Sequence, residues 1–160
     1  MNEELSRLAT AIHMNEPQCE PLRFAFGLAC AQRTEHLLES PEAIRCLAVL
    51  RSFVEGTSDR PALAQAAQEI AGVANSHRGS NSIDGSAHAA VSATYAVANA
   101  LAGRALDAAG YAAYAAVYGY GGYAVTDPSA FEAEFAWPSS RRPQSPSLCP
   151  PDGLSPWSAR

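Results

Sequence analysis

The sequence predicts an all-α fold: an Ala-rich antiparallel bundle of about six to seven helices, followed by a Pro/Ser-rich tail. Three observations carry that expectation. Alanine supplies 33 of the 160 residues, and Ala is the strongest helix former. Apolar positions recur at three- and four-residue spacing along successive segments, the period of a helix with one buried face. No segment shows the two-residue alternation of a half-buried strand. The same composition predicts a thin core, because Leu, Ile, Val and Phe together number only 29 and a methyl group buries little area.

Each element has a local cause. Over residues 2–13, Leu5, Leu8 and Ile12 share one stripe. Pro17 and Pro21 bracket a break, and Pro21 suits the first turn of a helix running to about Leu38. Leu22, Phe24, Phe26, Leu28, Cys30, Leu37 and Leu38 give that helix a wide apolar face, as expected of a central element. Ser40-Pro41-Glu42 is a start signal: a capping hydroxyl, proline at the first helical position and an acid in the first turn. That helix continues to about Glu55, with Ala43, Cys46, Leu47, Leu50, Phe53 and Val54 inward, and Gly56 fits the C-cap. Asp59-Arg60-Pro61 restarts a helix through Leu63, Ala66, Ile70 and Ala74. Residues 75–86 are polar and Gly-containing and read as the longest internal loop.

Two helices are then expected over about 86–102 and 104–118, separated by Gly103. The first carries an apolar stripe (Ala90, Val91, Thr94, Val97, Ala98, Leu101) and a polar one (His88, Ser92, Tyr95, Asn99). The second carries Leu106, Ala109, Gly110, Ala113 and Val117 on one side and Asp107, Tyr111, Tyr114 and Tyr118 on a neighbouring ridge. Gly119, Gly121 and Gly122, interleaved with Tyr120 and Tyr123, end it. Asp127-Pro128 restarts a short helix with Phe131, Phe135 and Trp137. Residues 138–160 hold six Pro and six Ser in 23 positions, the composition of a disordered segment. The domain assignment is therefore a helical bundle over 1–137 and a tail over 138–160.

Charge and cysteine narrow the function classes. All 11 basic residues are Arg, and the formal net charge is −5. It is uneven: residues 1–137 hold 15 acids against eight Arg, a net −7, and the tail is net +2. A body of that sign repels nucleic acid and favours a basic partner. No window is long and apolar enough for a membrane span. The start, Met1-Asn2-Glu3-Glu4, is acidic where a secretory signal is basic, so a cytoplasmic protein is expected. Cys19, Cys30, Cys46 and Cys149 show no CxxC spacing, which argues against a disulfide framework and more strongly against a zinc site. Cys30 and Cys46 fall in apolar helical runs and read as small core residues.

The sequence holds no defensible catalytic motif. None of His13, His36, His77 and His88 has a Glu three residues before it or a second His three or four residues away, so an intrahelical two-His metal pair is excluded. No nucleophile elbow and no P-loop occurs. Gly119-Tyr120-Gly121 ends in Ala124 where a dinucleotide fingerprint needs glycine, and it follows a helix instead of a strand. No metal and no cofactor is expected. His88 could serve proton transfer only with an acid and a pocket beside it; as a plain helix–helix hydrogen bond it needs neither. The Tyr ridge is the best physical lead, because tyrosine combines large area, few rotors and one polar tip. Its rings either fill volume between Ala-rich faces or anchor an interface.

Several stretches together resemble a known family. They are Ala29-Cys30-Ala31-Gln32-Arg33, Glu39-Ser40-Pro41-Glu42, Leu50-Arg51-Ser52-Phe53-Val54-Glu55-Gly56, Ala87-His88-Ala89-Ala90, Tyr111-Ala112-Ala113-Tyr114-Ala115 and Glu134-Phe135-Ala136-Trp137. Over residues 22–137 the chain resembles the immunity proteins of bacterial polymorphic toxin systems, in the fifth-numbered Imm class and its relatives. Two departures stand out: the chain turns to Pro/Ser after Trp137 where the family continues a polar helix, and Tyr or Asn stands where relatives often carry His. The resemblance implies an all-helical protein that binds and occludes a cognate toxin stoichiometrically, without catalysis. It implies an interface of roughly 1,200–2,000 Å² with aromatic anchors and a charged rim. The candidate partner-binding residues are His88, Tyr95, Asn99, Tyr111, Tyr114 and Tyr118, with the 75–86 loop beside them. Two alternatives stay open: a small helical enzyme with a site between helices around His88, and an oligomeric helical scaffold whose Tyr ridge is a self-interface.

Overall fold

The computed structural model describes residues 3–76, 86–120, 131–132, 134 and 136–137. Among them lie six α-helices and no strand: α1 (Glu3–Ala11), α2 (Glu20–Arg33), α3 (Pro41–Val54), α4 (Arg60–Ser76), α5 (Ser86–Leu101) and α6 (Ala105–Gly119). The expected all-α bundle is the observed fold. The tail expected over 138–160, most of the 75–86 loop, Tyr123, and the Asp127-Pro128 start all fall outside the described residues.

The starts follow local chemistry. Ser40 Oγ accepts the Ala43 N–H at 3.2 Å, and Asp59 Oδ1 accepts the Ala62 N–H at 2.9 Å. Each satisfies an amide that the first helical turn leaves without a partner. The stops are equally local. Gly56 and Gly103 take left-handed conformations, φ 76° and 69°. Around Gly103 the Arg104 N–H reaches the Asn99 carbonyl at 2.9 Å and the Gly103 N–H reaches Ala100 at 3.0 Å. That pair of bonds is the Schellman closure, which suits glycine because it has no Cβ to clash.

The α2 helix is shorter than its apolar pattern suggests. It ends at Arg33, and a 3₁₀ turn over Glu35–Leu37 follows. Thr34 is buried there, its Oγ1 donating to the Ala31 carbonyl at 3.2 Å, while the Leu37 N–H reaches back to the Thr34 carbonyl. The turn redirects Leu37 and Leu38 onto the core without continuing the helix.

The centre of the bundle is α5, which touches α2, α3, α4 and α6. Its buried positions include Ala89, Ala90, Ala93, Ala96, Val97, Ala100 and Leu101. Small residues let its neighbours approach closely: a Cβ on Gly27 of α2 would stand 3.1 Å from both Cα and Cβ of Ala100. The bulky filling comes from elsewhere. Leu47, Leu50, Ile70 and Val97 are fully buried, and Phe24 meets Phe53 edge-on at 5.2 Å. The thin core expected from the composition thus draws on α2, α3, α4 and α5 together.

Cys30 and Cys46 are free and buried, as expected of small core residues. Burial pushes the Cys30 thiol up to about 12. Burial, with the Glu69 carboxylate, pushes Cys46 up to about 11. Cys19 departs from the expectation against disulfides: it is fully buried and disulfide-bonded. Its spacing to the other cysteines gave no sign of this, because spacing along a chain says nothing about which segments fold together.

Candidate partner-binding surface

The helices α5 and α6 form an antiparallel hairpin about Gly103, and its register brings the two polar stripes together. His88 stacks on Tyr118 with ring centroids 5.3 Å apart and planes at 28°. Tyr95 stacks on Tyr111 at 5.1 Å and 20°. The same register sets Ser92 level with Tyr114 and Asn99 level with Asp107. Both stripes advance by four, three and four residues, so the side chains stay level over about three helical turns.

These rings are half packed and half presented. Tyr95 lies against the main core from the α5 side. Tyr111 and Tyr114 remain 38% and 44% exposed, and Tyr120, just past α6, is 82% exposed. Offset stacking of such pairs adds about 0.5–1.5 kcal/mol beyond area burial. The ridge thus has a packed inner edge and an exposed outer edge.

One predicted site residue does not belong to the surface. Asn99 is only 6% exposed, and its Nδ2 donates to the Tyr95 carbonyl one turn earlier at 2.8 Å. It sits where the hairpin closes, so the amide turns back to its own helix instead of facing solvent. His88, Tyr95, Tyr111, Tyr114 and Tyr118 do come together. Tyr120 is an exposed aromatic just past the last turn of α6.

Around His88 no carboxylate comes within hydrogen-bond reach among the described residues, and the imidazole rests on a phenol ring. Nor do three potential metal ligands cluster among the described residues. A cavity of about 150 Å³ lies elsewhere, where the start of α2, the end of α3 and the start of α4 converge on Phe24, Phe53 and Val54. Its lip is a two-pronged ion pair between Arg60 and Glu20, one prong at 3.1 Å. Hydrogen bonding from Arg60 holds the Glu20 carboxyl below the usual carboxylate value, and the guanidinium lies 5.8 Å above the Phe53 ring. The pair neutralises itself and offers no reactive group.

Two further polar contacts tie the frame. Arg23 donates to the Met14 and Glu16 carbonyls at 2.7 and 2.8 Å, fixing the link between α1 and α2. Arg51 of α3 donates to Glu35 at 3.0 Å.

Comparison with family models, with curated proteins and with solved structures finds no match to this chain.

Proposed function

We propose that this chain is a binding protein whose α5–α6 ridge grips a protein partner, and that the partner is a toxin neutralised by stoichiometric occlusion. One observation carries the reading: aromatic rings paired across α5 and α6 by stacking, with one ring of each pair exposed. Exposed Tyr111 stacks on half-buried Tyr95, and half-buried Tyr118 stacks on exposed His88, so the ring orientations along the ridge are set before any partner arrives. Anchors fixed in advance lose little conformational entropy on binding, which leaves more of the contact energy as affinity. The resemblance to immunity proteins supplies the class of partner. The net charge of −7 over residues 1–137 favours a basic toxin domain.

No helix of the described residues is long and apolar enough to cross a membrane. The cytoplasm is the proposed compartment. The free thiols of Cys30 and Cys46 agree with it and the Cys19 disulfide opposes it, because disulfides are rare in reducing compartments. Counting the thiols of protein alkylated inside intact cells decides the point: four reactive thiols after denaturation support a cytoplasmic protein.

The functional reading predicts a toxin gene immediately upstream and is tested by co-expressing the chain with that toxin. Protection of the cells, lost on changing Tyr111 and Tyr114 together to Ala while the far-UV circular dichroism stays that of a helical bundle, is the expected result. Undiminished protection by the double variant contradicts it.

A further inference from the structure

One arginine of α2 reaches the residues that brace the ridge from behind. Phe131, Glu132, Glu134, Ala136 and Trp137 carry helical backbone. Arg33 Nη2 donates to Glu134 Oε1 at 3.0 Å, and Nη1 lies 2.5 Å from Oε2 without hydrogen-bond alignment. The same guanidinium stands 4.6 Å above the centroid of Trp137. The Glu134 side chain is only 8% exposed, and a carboxylate buried without a partner is strongly unfavourable. Arg33 is therefore the charge against which Glu134 docks. Trp137 packs beside Leu5, Cys30, Ala96, Ala109 and Ala112.

The other end of the segment meets the ridge. Phe131 is buried against Ala113 and Val117 of α6 and faces Tyr114 edge-on, with centroids 5.0 Å apart and planes at 71°. Tyr114 needs that contact more than its neighbours do. Tyr111 and Tyr118 each stack on a ring of α5, whereas the register sets only Ser92 level with Tyr114. Phe131 supplies the ring that α5 lacks.

We propose that Arg33 is a positioning residue of the partner-binding ridge. By clamping Glu134 and Trp137 it seats Phe131 against Tyr114 and fixes the orientation of that ring. The functional meaning of this clamp rests on the ridge reading above; the coupling itself does not. Lysine cannot replace Arg33 fully, because the clamp uses two nitrogens and a flat stacking face at once.

The test needs no partner, so it is independent of what the ridge binds. The full chain is labelled with 3-fluorotyrosine in a Trp157→Phe background, leaving Trp137 as the sole indole. Arg33→Ala is expected to move the Tyr114 fluorine line toward that of exposed Tyr120 and to open Trp137 to acrylamide quenching. The Tyr118 line, backed by His88, stays in place, and far-UV circular dichroism is unchanged. Arg33→Lys produces the same two changes at smaller amplitude, and it decides the matter if the Ala variant does not fold. A Tyr114 line that stays still in the folded variants overturns the proposal, whether or not Trp137 becomes quenchable. Equal movement of Tyr114 and Tyr118 also overturns it, since that reports general loosening. A failed protection assay with toxin leaves this result untouched.

Discussion

A histidine ends α1 in the conformation that glycine adopts most easily. His13 has φ 53°, and around it the Met14 N–H reaches Ala9 while the His13 N–H reaches Thr10, the same closure that Gly103 makes after α5. Met14 and Ala9 pack together below it, so tertiary contact holds the strained residue in place. An L side chain in this region costs about 1–2 kcal/mol, of which glycine's looser unfolded chain takes back part. His13→Gly is therefore expected to raise stability by up to about 1 kcal/mol in chemical denaturation. The lost ion pair with Glu16 spans exposed groups and weighs little. A lower midpoint for the variant would show that His13 is not strained.

The buried thiols give a second expectation at this scale. In the folded chain Cys30 is raised by burial from 9.0 to about 12, so above pH 9 the unfolded chain ionises first. The stability associated with the neutral thiol is fully present below pH 9 and is lost as pH rises toward 12. Cys30→Ala is expected to flatten this alkaline decline in denaturation midpoints measured from pH 8 to 11. An unchanged slope would place the decline elsewhere.

At the scale of elements, what the sequence makes legible is what short-range chemistry decides. The Ser40 and Asp59 caps and the Gly56 and Gly103 stops can be read because donor and acceptor lie within five residues. The two heptad-like stripes of α5 and α6 can be read too. Their meeting cannot, because it depends on the register of the hairpin about Gly103. The Arg33–Glu134 clamp joins residues 101 apart, and no local pattern could announce it. Spacing alone places Asn99 on the outer surface for a related reason: its burial at the closed end of the hairpin depends on tertiary packing.

Helix crossings give a paired prediction. Gly27 lies against the Ala100 backbone, with only 3.1 Å available to a Cβ, whereas nothing lies within 4 Å of a Cβ on Gly72 of α4. Gly27→Leu forces α2 and α5 apart and is expected to destabilise by at least about 1–3 kcal/mol. Gly72→Ala gains helix propensity without a clash and is expected to stabilise by about 0.5–1 kcal/mol. Thermal melts of the two variants moving the same way would contradict the crossing geometry.

The whole molecule sets many methyl groups around a few large side chains. Ala-rich faces allow close helix approach but bury little area each, so stability concentrates at Leu47, Leu50, Ile70 and Val97. Leu47, fully buried on α3, is expected to cost about 2–5 kcal/mol when changed to Ala. Because a domain has only about 5–15 kcal/mol in total, that variant should melt roughly 4–20 °C lower by circular dichroism. A shift of a degree or two would show that the core is broader than its composition indicates. The outer face of the bundle follows the same economy: Tyr111 packs on Tyr95 and Tyr114 on Phe131, and both keep an exposed edge, as the proposed binding surface requires.

The most direct test of that surface is the affinity of the purified chain for the toxin that the proposed function expects to be encoded beside it, measured by titration calorimetry with and without Tyr111→Ala and Tyr114→Ala. One-to-one binding that weakens by about 2 kcal/mol or more in the doubly changed but still helical protein is what the account predicts, a loss in the range of interface hot spots. Binding of equal strength by both proteins would place the contact on another face and contradict it.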